Sequence, residues 1–449
     1  MKRNDKKFVN SITGSNIQKG CRRIAAWILL VGLIFGVTGC GHLSDTGISY
    51  IYADTDVSTL SEATIDKIVE NVVNSMSLND KVGQMFVVDL TALEPSRKSV
   101  QSKQLTSKMK RNLKLYPVGG VVLFSNDIKS RKQVQRLLTN LQQESRIELF
   151  VCVDEEGGSV SRIASNSKMK TTQFPSMLEI GKTEDTQKAF EVGDTIGREI
   201  RELGFSVDFA PVADVLVEGD EECSAKTELG NRSFGYDARS VATMVKQTVK
   251  GLEGQQVCAT LKHFPGQGAA SSDTHVSAAN ISKTISELRS TDFLPFQSGI
   301  EGGASFVMLS QASLQSLTGD SMPACMSSLV VRDILREELG FSGIVITDAM
   351  NMHSITSRYT SAEAAVNCVS AGVDMILMPE DLEEAYNGIL DGVKEGTISK
   401  ARIDKAVSRI IKCKIKKGIL PLTSDVVVKA SQSSYENYHN IGELQNGGE

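Results

Sequence analysis

The sequence predicts a (β/α)8 barrel on three observations. Eight short apolar, β-branched runs recur over about 330 residues, most of the gaps between them have helical periodicity, and polar residues gather where the runs end. The runs cover 85–90, 120–124, 149–153, 206–212, 257–261, 305–309, 344–347 and 373–378. The run 257–261 in particular reads as a buried strand. Segments 131–145, 186–203, 239–251, 327–339 and 361–371 place apolar residues at helical spacing and supply the crossovers. Ahead of the first run, Ser77 and Asp80 resemble a capping box that opens a helical turn. Insertions in the loops account for the excess over the ~250 residues usual for such a barrel. The structural alternative is a doubly wound open sheet, but Gly157-Gly158 lacks the spacing of a dinucleotide fingerprint or a phosphate loop.

The barrel is expected over 61–422 of the 449 residues, with a polar tail over 423–449 and no second domain after Leu420. The first 39 residues read as an export signal. Seven Lys and Arg precede or flank a fourteen-residue apolar stretch, 24–37, and Val37-Thr38-Gly39-Cys40 resembles a bacterial lipobox. Cys40 is then the lipidated first residue of the mature chain, followed by a linker to residue 60. A retained membrane anchor is the other reading, and fourteen residues fall short of the ~20 needed to span a bilayer. Both readings put the domain on a membrane surface facing away from the cytoplasm.

Residues 1–39 contribute +6, so removing them from a chain of net charge −5 leaves −11. That balance makes nucleic acid an improbable partner. Cys152, Cys223, Cys258, Cys325, Cys368 and Cys413 show no short-spaced framework and read mostly as free core thiols. The single tryptophan, Trp27, lies in the signal, which favours a small pocket over a long groove with an indole platform.

The ends of the runs carry Asp154-Glu155-Glu156-Gly157-Gly158, Asp208 and Asp214, Lys262-His263, Ser310-Gln311 and Thr347-Asp348. Charge beside an apolar core is costly unless it is used, so this convergence marks a reactive mouth. Asp348 directly follows its strand and is placed to attack an electrophilic carbon, to hold a charge, or to cap the following turn. Arg162 clamps a substrate oxygen or pairs with Glu155 or Glu156, and Arg232 sits in a loop where a solvated surface arginine is equally natural. His353 and His42 read as structural or exposed. Beyond the 257–261 run lies Lys262-His263-Phe264-Pro265-Gly266-Gln267-Gly268, then four small residues and Asp273-Thr274-His275. Asp273 can fix the tautomer of His275 and raise its basicity, which makes a proton donor and acceptor near neutral pH. No Gly-x-Ser-x-Gly elbow accompanies the pair, and Asp-x-His alone supplies too few ligands for a metal.

That stretch resembles the signature of the single-domain β-N-acetylglucosaminidase branch of glycoside hydrolase family 3: Lys-His-Phe-Pro-Gly-(His/Gln)-Gly, four residues, Asp-(Ser/Thr)-His. The resemblance runs from about Met76 to Leu420. It implies that Asp348 is the nucleophile of a covalent glycosyl-enzyme, His275 the general acid/base and Asp273 its orienting partner. It likewise implies that Asp154, Arg162, Arg232, Lys262 and His263 hold sugar hydroxyls. The activity implied is a retaining exo-β-N-acetylglucosaminidase with no metal or organic cofactor; with the anchor at the cell envelope, peptidoglycan fragments or related GlcNAc saccharides are the expected substrates, and a monomer is the default state. A phosphorylase on the same fold and a lipid-anchored solute-binding protein are the alternatives. Two positions depart from the commoner pattern, Gln267 and Gln311, and both are expected to line the sugar pocket.

Overall fold

The computed structural model describes residues 57–95, 104–217, 229–270 and 279–422. The expected export signal, Cys40, His42, Cys223, Asp273, His275 and the 423–449 tail lie outside the described residues, as does the expected linker up to residue 56.

The described residues form ten strands: β1 (Phe86–Val88), β2 (Gly120–Val122), β3 (Phe150–Val153), β4 (Glu155–Gly157), β5 (Val160–Ser161), β6 (Val207–Asp208), β7 (Cys258–Phe264), β8 (Phe306–Leu309), β9 (Ile344–Thr347) and β10 (Ile376–Leu377). Eight of them form one sheet in the order β10-β1-β2-β3-β6-β7-β8-β9, every pairing parallel. A parallel bridge between Ile346 and Met375 brings β9 back to the β10 segment and closes the ring. The remaining pair, β4 and β5, is an antiparallel hairpin that follows β3. All residues of the eight barrel strands are buried, the polar Asp208, Thr260, Lys262, His263 and Thr347 included.

Each expected run contains a strand, with two differences in extent. The 206–212 run keeps a regular ladder only at Val207–Asp208, because Pro211 has no N–H to donate; pairing resumes as an isolated bridge from Val212 to Lys262. Conversely, β7 does not stop at Leu261 but carries Lys262 and His263 inside the strand and ends at Phe264. Backbone pairing holds them there: Ala213 N–H donates to the Lys262 carbonyl at 2.7 Å, and Phe264 is in register with Leu309.

The crossover helices follow their periodicity. Thr186–Leu203 starts at Asp185, whose side chain accepts from Gln187 and Lys188 N–H, and stops at Gly204 with φ 105°. Its inner face packs on Ala238–Gly254, and the axes come so close that a Cβ on Gly193 would lie 2.2 Å from the Thr248 carbonyl oxygen. The 327–339 segment is helical over Leu329–Glu338 and wound with wide i→i+5 bonds, as from Leu339 N–H to the Ile334 carbonyl at 2.9 Å. Ser77 does cap Leu78–Gln84, accepting from Asp80 N–H at 3.1 Å, while its hydroxyl donates to the Asp80 carboxylate at 2.6 Å.

The ends of the strands away from the reactive residues are tied to the last helix, Lys400–Lys416. Asp374, fully buried before β10, accepts from Arg336 at 2.5 Å and from Arg402 and Arg409 at 3.1 Å each. Lys414, also fully buried, donates to Gln84 Oε1 at 2.6 Å and sits 5.0 Å from the Phe150 ring centre. Cys152, Cys258, Cys325, Cys368 and Cys413 are free thiols, in agreement with the sequence reading. Burial pushes the thiols of Cys152, Cys258 and Cys368 well above their ordinary range, which keeps them unreactive.

Candidate active site

A parallel barrel directs the residues after its strands toward one rim, so the loops there can converge on a common space. In this chain that space is a cavity of about 400 Å³ lined by Asp154, Glu156, Arg162, Arg232, Lys262, His263 and Asp348. Phe124, Phe209, Met308 and Met378 form its apolar wall. All of the sequence-predicted sugar-binding residues and the expected nucleophile therefore share one cavity, although they come from the positions just after β3, after the β4–β5 hairpin and after β9, from β7 and from the 230–232 turn.

Asp154 follows β3, and Lys262 projects from β7 to donate to Asp154 Oδ1 at 2.9 Å and to Glu156 Oε1 at 2.6 Å. Glu156 also accepts from Arg232 side-on, with Nε donating to Oε2 and an Nη to Oε1, both at 2.8 Å. Burial alone would push the Glu156 carboxyl up, but the Lys262 and Arg232 charges outweigh it and hold it at about 2. Burial disfavours the charged Lys262 too, yet Asp154 and Glu156 raise its pKa above the ordinary lysine value, so the ammonium stays protonated. This fork geometry overturns the surface reading of Arg232, whose side chain is only 12% exposed. The loop lacks apolar periodicity because its inward residue is a cation paired with a buried anion.

Arg162 pairs with neither Glu155 nor Glu156. It pairs instead with Asp154, at 4.0 Å from Nε, and its guanidinium lies 6.0 Å from the Phe124 ring centre. The hairpin explains this placement: Glu155 turns the other way, accepting from Ile163 and Ala164 N–H at 2.7 and 3.0 Å, while its own N–H donates to Asp208 at 2.9 Å. Burial pushes Glu155 up to about 7 and Asp208 well above its ordinary range. The second oxygen of Asp208 is buried and has no hydrogen-bond partner among the described residues.

Asp348 stands directly beyond β9, its N–H donating to the Leu309 carbonyl at 3.1 Å. One carboxylate oxygen accepts from Ala349 N–H at 2.7 Å, and the side chain lines the cavity; it does not cap a helix, because the next one is His353–Thr356 with Met352 at its N-cap. Among the described residues no hydrogen bond meets its other oxygen. Gln311 braces the following turn by donating to the Ala349 carbonyl at 2.5 Å and accepting from Ser354 Oγ. Gln267 donates to Ser310 Oγ at 2.7 Å. Neither glutamine lines the cavity, contrary to expectation: both are buried, and their amides are engaged by neighbouring loops. His353 is exposed, as expected.

Two members of the site escaped the sequence reading. Glu156 was visible two residues beyond Asp154, the spacing that returns a strand side chain to the same face. Asp214 received no role, yet it holds His263 at 2.7 Å.

The family profile described as "Glycosyl hydrolase family 3 N terminal domain" matches residues 77–413. The chain belongs to glycosyl hydrolase family 3. Among curated relatives, this family 3 chain is similar to "Beta-hexosaminidase" of Stenotrophomonas maltophilia (strain R551-3), with 33% identity over 65% of the chain and 85% of the relative. It is also similar to "Beta-hexosaminidase A" of Pseudoalteromonas piscicida, at 29% identity over 67% of the chain, where it spans 54% of the relative's length. A solved family 3 β-N-acetylglucosaminidase from Paenibacillus sp. str. FPU-7 superposes with a TM-score of 0.70 at 28% identity, covering 80% of this chain and 69% of that one. The barrel and the glycoside hydrolase class expected from sequence agree with these likenesses.

Proposed function

We propose that this glycoside hydrolase is a retaining exo-β-N-acetylglucosaminidase that releases terminal β-linked GlcNAc. The observation that carries the reading is the cavity itself: a carboxylate, Asp348, faces a closed set of ion-paired donors and acceptors of fixed geometry. Its ~400 Å³ falls within the range of small-molecule sites, ~300–1,000 Å³. A pyranose offers several hydroxyls, each both donor and acceptor, and Asp154, Arg162, Lys262, Arg232 and His263 offer complementary groups around one small volume. The relatives' names supply the sugar.

In the proposed reaction Asp348 attacks C1 while the protonated His275 imidazole donates to the leaving oxygen. A bond forms between the Asp348 carboxylate and C1 as the C1–O bond to the aglycone breaks. Neutral His275, oriented by Asp273, then takes a proton from water, which displaces Asp348 and releases GlcNAc with the β configuration kept. The usual template has two carboxyl groups about 5–5.5 Å apart. Here an imidazole takes the place of the second, on the strength of the sequence signature alone. The lipobox at Cys40 supports a lipid-anchored enzyme outside the cytoplasm, where peptidoglycan fragments are the GlcNAc source at hand.

The test is phenol release from an aryl β-GlcNAc and an aryl β-glucoside, each with and without inorganic phosphate. Activity on the first in phosphate-free buffer, abolished by Asp348→Ala, is expected. Activity on neither would sink the reading, and strict dependence on phosphate would make the enzyme a phosphorylase.

A further inference from the structure

Asp214 is fully buried and acts as a junction for three loops of the site. Its Oδ2 accepts from His263 Nδ1 at 2.7 Å and from the His263 N–H at 3.2 Å, and its Oδ1 accepts from Gln267 N–H at 2.6 Å. Its carbonyl accepts from Ser233 Oγ at 2.6 Å, the residue next to Arg232. The next peptide is pressed against the Gly266-Gln267-Gly268 turn so closely that a Cβ on Gly268 would lie 1.7 Å from the Val215 carbonyl oxygen.

An ionised carboxylate only accepts hydrogen bonds, so a short contact to Nδ1 requires the proton to be on Nδ1. The ring is then turned with its Nδ1 edge to the buried acid, and its Nε2 edge is left for the cavity that His263 lines. We propose that Asp214 is a positioning residue of this glycosidase: it fixes the tautomer and orientation of the sugar-binding His263 and locks the Gln267 turn in the same act. The proposal rests on the GlcNAc reading for the identity of the sugar but not for the hydrogen bonds.

Three N–H groups converge on the two oxygens, and this makes the carboxylate irreplaceable by its amide. Asparagine has a single acceptor oxygen and an NH2 group that must face either His263 or Gln267, donor against donor. Asp214→Asn is therefore expected to lower kcat/KM on aryl β-GlcNAc by on the order of 10- to 100-fold, as loss of a partner that orients a functional histidine does elsewhere, with part of the loss in KM. A variant within about twofold of an active wild type in both constants would overturn the proposal. The second measurement does not depend on the Asp214 variant. In the wild-type protein labelled with 15N in its histidine rings, the His263 signal, assigned by its absence in His263→Gln, should show Nδ1 protonated. A neutral ring protonated only at Nε2 would overturn the proposal whatever the kinetics. If the wild type hydrolyses no GlcNAc substrate, the functional reading fails, and the ring spectrum still decides the role of Asp214 toward His263.

Discussion

Glu156→Gln removes one charge from the centre of the site while keeping the side chain's shape, and its cost can be worked from the structure. The carboxylate is 1% exposed and lies 2.6 Å from Lys262 and 2.8 Å from two nitrogens of Arg232. Holding the carboxyl at about 2 rather than 4.5 corresponds to about 3 kcal/mol of preference for the charged form, at ~1.4 kcal/mol per pKa unit. Breaking a buried pair by removing one partner costs ~3–5 kcal/mol by independent reasoning, so the two figures agree. At ~2 °C per kcal/mol for a large domain, the melting temperature should fall by about 6 °C or more at pH 7. The sign with pH follows from the depressed value: the stabilisation is present above about 4.5 and lost as pH falls toward about 2. The gap between wild type and variant should therefore narrow on acidification below 4.5. Because Lys262 and Arg232 lose their anchor, kcat/KM on aryl β-GlcNAc should fall by about tenfold or more. Melting within about 1 °C of wild type at pH 7, with unchanged kinetics, would refute the reasoning.

Three further outcomes are expected. Burial pushes Asp208 well above its ordinary range, so its contribution is greatest below the ordinary aspartate value of 3.8 and is lost as pH rises toward its elevated folded value; the melting temperature of Asp208→Asn should gain on that of wild type as pH rises from about 4 to 8, and a difference that stays constant or moves the other way would count against the account. Lys414 is driven down to about 7 by burial, so stability should rise with pH between about 7 and 10.5. Lys414→Met should raise the melting temperature at pH 6, with a smaller gain at pH 10, despite leaving Gln84 Oε1 without its donor at a cost of ~1–3 kcal/mol; a gain that grows with pH would contradict it. Gly193→Ala should destabilise by about 1–3 kcal/mol in a urea titration, since the Thr248 carbonyl is backbone and cannot swing aside; an unchanged midpoint would show the helices to be looser than described.

Much of the fold was legible because parallel barrel strands are buried on both faces, so their apolar runs stand out from amphipathic helices. The same criterion cut β7 short at Leu261: it treats Lys262 as the end of burial, whereas two carboxylates across the barrel make that lysine a core residue. Arg232 was ambiguous for the same reason, since its partner Glu156 lies 76 positions away and only the folded chain brings them together. Gln267 and Gln311 were misplaced because an amide suits a sugar pocket and a buried brace equally well, and only the direction of the side chain decides. Asp348 was legible at once, a lone carboxylate on the end of an apolar strand.

The central claim is that Asp348 forms a covalent bond to the sugar, and labelling tests it most directly. The protein would be incubated with a 5-fluoro-β-GlcNAc fluoride, a class of reagent that slows both steps and leaves the glycosyl-enzyme to accumulate, then digested and analysed by mass spectrometry. The account predicts one sugar per chain, attached to the peptide that contains Asp348 and absent from Asp348→Ala. A sugar on a different carboxylate, or label retained in the Asp348→Ala protein, would contradict it.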